Sequence, residues 1–170
     1  MDLFEELLRI RDQQREAQKQ SIWLIKGKDL PWELNRHGKM RWYLHPSLAN
    51  IALRTLMFHE QQIPPGSRSG RQKCPGGKVF YVLEGKGHTV VDGVRHDWKA
   101  GDLINLPVRE EGLIYQHFNG DPNESVRLIG CEPNLVDALS VDRGCGFEEL
   151  ELAPERLQRP ASGGVPESTT

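Results

Sequence analysis

The residues with the clearest chemical capacity begin in the segment RQKCPGGKVFYVLEGKG, residues 71 to 87. Gln72 and Cys74 lie two residues apart, so on a β-strand their side chains share one face. Lys78 follows after a Pro-Gly-Gly turn and opens the next apolar run. An amide, a thiol and an ammonium group on one surface could together bind a polar ligand.

A second strand-like segment, LIYQHFN at residues 113 to 119, carries Tyr115 and His117 on one face. These side chains could donate or accept protons. Phe80 and Val82 continue the face of Lys78, so an apolar wall adjoins the polar groups. Polar groups beside an apolar wall are typical of a small-ligand pocket.

Each candidate also has an ordinary structural role, and the sequence leaves both open. Lys78 is either a counter-charge for an acidic ligand, helped by Arg71 or Arg109 at the rim, or a lysine paired with a carboxylate. Tyr115 is more often a packed aromatic than a proton carrier, and His117 more often a core histidine than a base or a metal ligand.

The other histidines are weaker candidates. His37 and His45 precede the barrel proper, and His96 follows a turn, where we expect exposure. His59 lies on a strand with polar residues on both faces, so its inward face is undecided; His88 is also undecided.

The segments that must position these residues are short β-branched and aromatic runs separated by Gly, Pro, Asn and Asp. Such spacing predicts an antiparallel β-sandwich or barrel, here over residues 21 to 153, and the sequence VDG at residues 91 to 93 predicts a two-residue hairpin turn. The predicted strands are SIWLI, RWYL, ALRTLMF, KVFYVLEG, HTVVDG, DLINLP, LIYQHFN and VRLIGCE.

The two ends differ from this pattern. Residues 1 to 20 predict an amphipathic helix whose apolar residues, Leu3, Phe4, Leu7 and Leu8, lie in its first half. This half either packs on the chain's own barrel or forms a dimerisation arm. Residues 154 to 170 are rich in Pro, Gly, Ser and Thr and predict a disordered tail.

The spacing of one set of residues resembles the first motif of the cupin superfamily, GxxxxxHxHxxxExxxxxxG. Gly66 and Gly85 stand in register with its terminal glycines, and Gln72, Cys74 and Lys78 occupy its His, His and Glu positions. The second motif, GxxxxxPxGxxHxxxN, is matched from Gly101 to Asn119 with three residues inserted, and Tyr115 stands at its histidine position.

The resemblance implies an all-β fold, a cupin jelly-roll β-barrel, often dimeric, with a small-molecule pocket inside. The upstream stretch WYLHPSLANIALRTLMFHEQQIPPG looks like the gentisate dioxygenase-like branch, in which three histidines hold iron. This sequence departs from the pattern at every ligand position, and an amide, a lone thiol, an amine and a phenol are poor ligands for Fe(II). We therefore expect no metal cofactor.

Composition narrows the partners. The 170 residues carry 22 Lys and Arg against 24 Asp and Glu, mixed along the chain, which does not indicate nucleic-acid or membrane binding. Three cysteines without a CxxC pair predict neither a disulfide framework nor a zinc site, and a cytoplasmic location fits best.

These observations favour a dimeric cupin-domain protein that binds a small organic, carboxylic or aromatic acid. The predicted ligand-binding residues are Gln72, Cys74, Lys78, Phe80, Val82, Tyr115 and His117. One alternative is a metal-independent acid/base enzyme using Tyr115, Lys78 and His117. Another is a dioxygenase holding Fe(II) or another divalent transition metal through unusual ligands such as Gln72, Cys74, His59 and His117.

Overall fold

A computed structural model of the protein describes residues 2 to 48, 50 to 134 and 146 to 158, and over these ranges eleven strands form two antiparallel sheets. The strands are β1 Glu33–Asn35, β2 Gly38–Leu44, β3 Leu56–Ile63, β4 Arg71–Cys74, β5 Lys78–Glu84, β6 Lys86–Val91, β7 Val94–Lys99, β8 Leu103–Leu106, β9 Leu113–Asn119, β10 Val126–Pro133 and β11 Glu148–Glu151.

The strand order is β1-β2-β3-β10-β5-β8 in the first sheet and β11-β4-β9-β6-β7 in the second. Neighbours in sequence are often split between the two sheets, as in a jelly roll. The core lies between the sheets and is built from Phe80, Val82 and Leu128 of the first sheet and from Cys74 and Tyr115 of the second. The predicted jelly-roll barrel is therefore confirmed.

Strand alternation places the predicted polar residues as the sequence indicated. In β5, Lys78, Phe80 and Val82 are buried, whereas Tyr81 between them is 44% exposed. In β9, Tyr115 and His117 are buried on the same face. The two strands thus present their chemistry-bearing side chains to the barrel interior.

The structure settles the orientation of β3, which the sequence left open. Met57, His59, Gln61 and Ile63 face the interior and are buried. Glu60 on the opposite face is also buried. Its carboxylate accepts hydrogen bonds from Arg41 Nε at 2.7 Å and from Arg127 Nε at 2.5 Å, which compensate for its loss of water.

Local sequence signals are confirmed in one case and wrong in another. The predicted turn joins β6 and β7, where Asp92 and Gly93 both have positive φ, as a type I′ turn requires. The SIWLI segment, by contrast, forms no strand beyond a single bridge at Ile22, and Trp23 and Leu24 are exposed. Its apolar run has no sheet neighbour to pair with.

Helix α1 spans Leu3–Lys19 and begins at Asp2, whose side chain accepts a hydrogen bond from the Glu5 amide. None of its described residues is buried, and Leu3, Phe4 and Leu7 are 84%, 67% and 63% exposed. The apolar half therefore does not pack on the barrel of its own chain. No helix in the described ranges has the length and apolarity needed to cross a membrane.

The C-terminal segment begins with structure where disorder was predicted. Helix α2 spans Pro154–Leu157, with proline at its first position, where a missing N–H is tolerated. The Ala153 amide before it donates to the carbonyl of Arg36 at 2.9 Å, which ties the segment to the barrel. Residues 159 to 170 of the predicted tail lie outside the described residues.

Candidate ligand cavity

A cavity of about 320 Å³ opens into the barrel between the two sheets. Three of the predicted ligand-binding residues line it: Gln72 from β4, Lys78 from β5 and Tyr115 from β9. The remaining four do not line it and are packed in the interior, namely Cys74, Phe80, Val82 and His117. The other lining residues are Asn35, Arg36, His37, Met40, Trp42, His59, Glu132, Phe147 and Glu149.

One side of the cavity is a continuous chain of hydrogen bonds. The Tyr115 hydroxyl donates to Gln72 Oε1 at 2.6 Å, and Gln72 Nε2 donates to Glu149 Oε2 at 2.9 Å. The other oxygen of Glu149 lies 3.2 Å from Nδ1 of His37. The His37 and Glu149 side chains are each 6% exposed, so these hydrogen bonds are sheltered from bulk water.

A buried ion pair also lines the cavity. Lys78 Nζ lies 2.8 Å from Glu132 Oε2, with side chains 4% and 9% exposed. The ammonium also lies 5.1 Å from the ring centre of Phe147 and 5.9 Å from that of Tyr115, so aromatic rings surround it. Of the two roles open for Lys78, the carboxylate-paired one is realised here.

His59 adds an uncharged imidazole to the wall. Burial is the main reason that the pKa of His59 is lowered to about 3, with smaller electrostatic contributions from His37 and Lys78. Its Nδ1 is buried and has no hydrogen-bond partner within the described ranges, and the same holds for Nε2 of His37. Two cavity-lining histidines thus each keep one ring nitrogen unsatisfied.

His117 lies behind the cavity wall. Its Nδ1 is 2.7 Å from the Thr89 hydroxyl, which in turn accepts a hydrogen bond from Trp98 Nε1, and its ring packs 4.5 Å from that of Phe80. Burial is the main reason that the pKa of His117 is lowered well below its ordinary value. His117 is therefore a neutral, packed histidine in this arrangement.

The four residues at the cupin ligand positions do not fit the family's metal ion. The Tyr115 hydroxyl is engaged with Gln72, Lys78 is a cation paired with Glu132, and burial raises the pKa of the Cys74 thiol. Metal ligation needs a thiolate and a phenolate instead. In the part of the chain that the structure describes, no three His, Cys, Asp or Glu side chains are grouped to hold a metal ion.

Several cavity residues were missed by sequence reasoning. His37 was placed before the barrel, and Glu132, Glu149 and Trp42 were not proposed. Glu132 had a usable signal, because it continues the buried face of Val126 and Leu128 along β10. Neither Arg71 nor Arg109, the cations expected at the rim, lines the cavity; Arg36 does.

Comparison with known proteins agrees with this fold. Residues 59 to 111 match the family model described as "Cupin domain". Solved structures with a similar fold include the polyketide cyclase RemF of Streptomyces resistomycificus, with a TM-score of 0.58 at 15% identity, covering 79% of this chain and 89% of that one. The plu4264 protein of Photorhabdus luminescens has a TM-score of 0.53 at 14% identity, covering 65% and 84%.

One curated relative supports the branch suggested by the sequence. A 5-aminosalicylate 1,2-dioxygenase from a Comamonas species is 29% identical over 91 residues. The match covers 54% of this chain and 24% of that protein, so this chain spans about a quarter of the length of the relative. The two proteins are thus similar over one region of a longer relative.

Proposed function

We propose that this cupin binds a small aromatic acid in the cavity beside Gln72, Lys78 and Tyr115, without using a metal ion. The observation that carries the proposal is the lining of this cavity, where the polar side chains of His37, Gln72 and Glu149 lie beside apolar and aromatic ones. A few polar groups set among apolar and aromatic surface are the usual composition of a small-molecule site.

The size and walls of the cavity suit a single ring. Its volume of about 320 Å³ is at the lower end of the usual range for small-molecule sites, roughly 300 to 1,000 Å³. Met40, Trp42 and Phe147 supply apolar and aromatic surface on which a ring can stack. The polar groups of the lining lie among these surfaces. A ring with polar substituents could therefore stack on the aromatic surface and hydrogen-bond to the polar groups.

The charges favour a carboxylate at the mouth of the cavity. The ammonium of Lys78 is already balanced by Glu132, but Arg36 is exposed and has no ion pair within the described ranges. A guanidinium binds a carboxylate through two parallel hydrogen bonds. In this proposal Arg36 takes the counter-charge role that was one of the two roles open for Lys78.

The name of the curated relative supports the same ligand class. That protein is a 5-aminosalicylate dioxygenase, and its named substrate is a ring bearing a carboxylate, a hydroxyl and an amine. The present chain matches only part of that relative's length. The side chains at the motif positions of the present chain, Gln72, Cys74, Lys78 and Tyr115, do not suit Fe(II). We therefore take over the aromatic-acid class and not the oxygenation chemistry.

Isothermal titration with 5-aminosalicylate, benzoate and an aliphatic acid such as hexanoate tests the proposal. We expect the aromatic acids to bind at one site and hexanoate to bind more weakly. Arg36→Gln should weaken binding about tenfold or more, because a charge-assisted contact is lost. Arg109→Gln, an exposed arginine that does not line the cavity, is the matched control and should bind as the wild type does.

A second candidate, a metal-independent acid/base enzyme, is favoured by one observation. His37 and Glu149 form an imidazole–carboxylate pair at the cavity wall, the arrangement that orients a histidine for proton transfer. In this version His37 replaces His117 as the base, since His117 lies outside the cavity wall. Turnover of any substrate should then be lost in His37→Gln and kept in His117→Gln.

A homodimer is part of the same proposal. The exposed apolar residues Leu3, Phe4 and Leu7 of α1 would be covered by the same helix of a second copy. Their spacing continues to Ile10, which is 40% exposed, so a stripe at intervals of four and three residues runs along the first half of the helix.

A further inference from the structure

Beyond non-covalent binding of an aromatic acid, we propose that Lys78 is a nucleophile that forms an imine with an aromatic ligand carrying an aldehyde group. The inference rests on the proposed function in one respect, because the same cavity must admit the aromatic ring. Lysine amines form this covalent bond with carbonyl compounds when an enclosed site activates them. The observations that carry the inference are the burial of Lys78, its place in the cavity wall and the groups around its Nζ.

Lys78 differs from the other lysines in the ranges that the structure describes. Its side chain is 4% exposed and lines the cavity, whereas the others are exposed or half-buried and do not line it. The three groups around Nζ, namely Glu132, Phe147 and Tyr115, all line the same cavity. The amine is therefore held at an enclosed wall beside aromatic rings, where an aromatic ligand would pack.

Glu132 provides the base that a nucleophilic lysine requires. An ammonium group has no lone pair, so Lys78 must lose a proton before it can attack a carbonyl carbon. Glu132 Oε2 lies 2.8 Å from Nζ, which is within the distance for direct proton transfer. This carboxylate can therefore take a proton from the nitrogen and return it to the oxygen that leaves.

The reaction balances without an oxidant, a reductant or a metal ion. Glu132 takes a proton from the Lys78 ammonium, and the amine lone pair then bonds to the aldehyde carbon. The C=O electron pair moves to the oxygen, which takes up that proton. A second proton passes from the nitrogen through Glu132 to the resulting hydroxyl group, which leaves as water while the nitrogen lone pair forms the C=N bond. The sum is ammonium plus aldehyde giving protonated imine plus water, and Glu132 is again a carboxylate.

The surroundings of Lys78 suit the product as well as the ammonium. A protonated imine keeps the positive charge on the same nitrogen, so it keeps the ion pair with Glu132. It also keeps the contacts with the rings of Phe147 and Tyr115, whose centres lie 5.1 and 5.9 Å from Nζ. The enclosed position limits the access of bulk water, which would hydrolyse the imine.

The experiment incubates the folded protein with the meta or the para isomer of formylbenzoate and with cyanoborohydride, which reduces an imine to a stable secondary amine. Peptide mass spectrometry then reports which lysines carry the adduct. With at least one isomer, we expect Lys78 to be labelled about tenfold or more faster than any exposed lysine, because the cavity holds the aldehyde beside the amine. Benzoate, which competes for the cavity, should slow the labelling of Lys78 and leave that of the exposed lysines unchanged.

Two arginine variants form a matched pair of controls. Lys78→Arg keeps a positive charge opposite Glu132 but has no amine, so the cavity adduct should disappear while benzoate still binds. Lys86, whose side chain is 72% exposed, does not line the cavity, and Lys86→Arg should be labelled at Lys78 as the wild type is. The peptide map of the wild type decides the test even where Lys78→Arg folds poorly, because it identifies the labelled residue directly.

The outcomes separate this inference from the proposed function. Labelling of Lys78 no faster than that of the exposed lysines would overturn the inference, and benzoate binding in isothermal titration would then leave the proposed function standing. Fast labelling of Lys78 that benzoate does not slow would support the imine and contradict the proposed aromatic-acid site.

Discussion

Substitution of Lys78 by methionine is expected to destabilise the protein strongly, because it leaves a charge without its partner. Lys78 Nζ lies 2.8 Å from Glu132 Oε2, and the side chains are 4% and 9% exposed. Methionine keeps most of the volume and the apolar stem, so little packing is lost. What remains is a carboxylate in a site that water hardly reaches.

The magnitude follows from this geometry. Breaking a buried ion pair by removing one partner costs about 3 to 5 kcal/mol, whereas replacing both partners by apolar residues is often nearly neutral. For a chain of this size each kcal/mol shifts the melting temperature by about 2 to 4 °C. Lys78→Met should therefore melt roughly 6 to 20 °C below the wild type.

Urea denaturation of four proteins measures the effect: the wild type, Lys78→Met, Glu132→Leu and the double variant. We expect each single variant to lose about 3 kcal/mol or more and the double variant to recover most of that loss. Losses below about 1 kcal/mol in Lys78→Met, or losses that simply add in the double variant, would refute the interpretation of a buried, mutually dependent pair.

The remaining predictions concern pH, packing and assembly. Folding lowers the pKa of His59 from 6.5 to about 3, so between pH 6.5 and about pH 5 the unfolded chain takes up a proton at His59 that the folded chain does not. The free energy of unfolding should therefore fall by about 2 kcal/mol over this range. His59→Gln should make the dependence of the unfolding free energy on pH less steep. Urea denaturation at several pH values measures this, and the same pH dependence in His59→Gln as in the wild type would contradict the prediction. Gly130→Ala should lower the free energy of unfolding by about 1 to 3 kcal/mol and weaken ligand binding. The added Cβ would lie 2.3 Å from His59 Nε2 and push the His59 ring toward the cavity. Unchanged stability and unchanged ligand affinity would contradict this packing. Light scattering should give a dimer for the wild type and a monomer with unchanged core stability for Leu7→Glu, and a monomeric wild type would contradict the assembly.

The barrel could be predicted because its signals are local. Period-two alternation placed Lys78, Phe80, Tyr115 and His117 in the interior, and the dipeptide at Asp92 gave the hairpin turn. These patterns depend only on residues that are close in sequence, so they can be recognised without knowing which distant segments come together. The structure confirms them.

The cavity could be predicted only in part because its polar contacts join distant segments. Glu149 and His37 are 112 residues apart, and they meet because β11 pairs with β4 while the β1–β2 turn reaches the same end of the barrel. A tight turn such as the one that carries His37 has no periodic pattern that reveals its inward side chain. The partner of Lys78 was foreseen as a kind of residue, a carboxylate, but not as Glu132.

The substituted ligand positions also gain a physical explanation. Gln72 and Tyr115 face each other on paired strands, β4 and β9, at the place where the cupin motifs carry histidines. Here the Tyr115 phenol donates a hydrogen bond to the Gln72 amide, and that amide donates to Glu149. Side chains that hydrogen-bond to one another therefore stand at positions where the motifs carry metal ligands.

Isothermal titration of the protein with 5-aminosalicylate, before and after dialysis against a strong chelator, tests the central claim most directly. The cavity is proposed to bind an aromatic acid through its own side chains. We therefore predict the same one-site binding in both samples and no gain when Fe(II) is added back. Binding that disappears on chelation and returns with Fe(II) would contradict this account and restore a metal-dependent site.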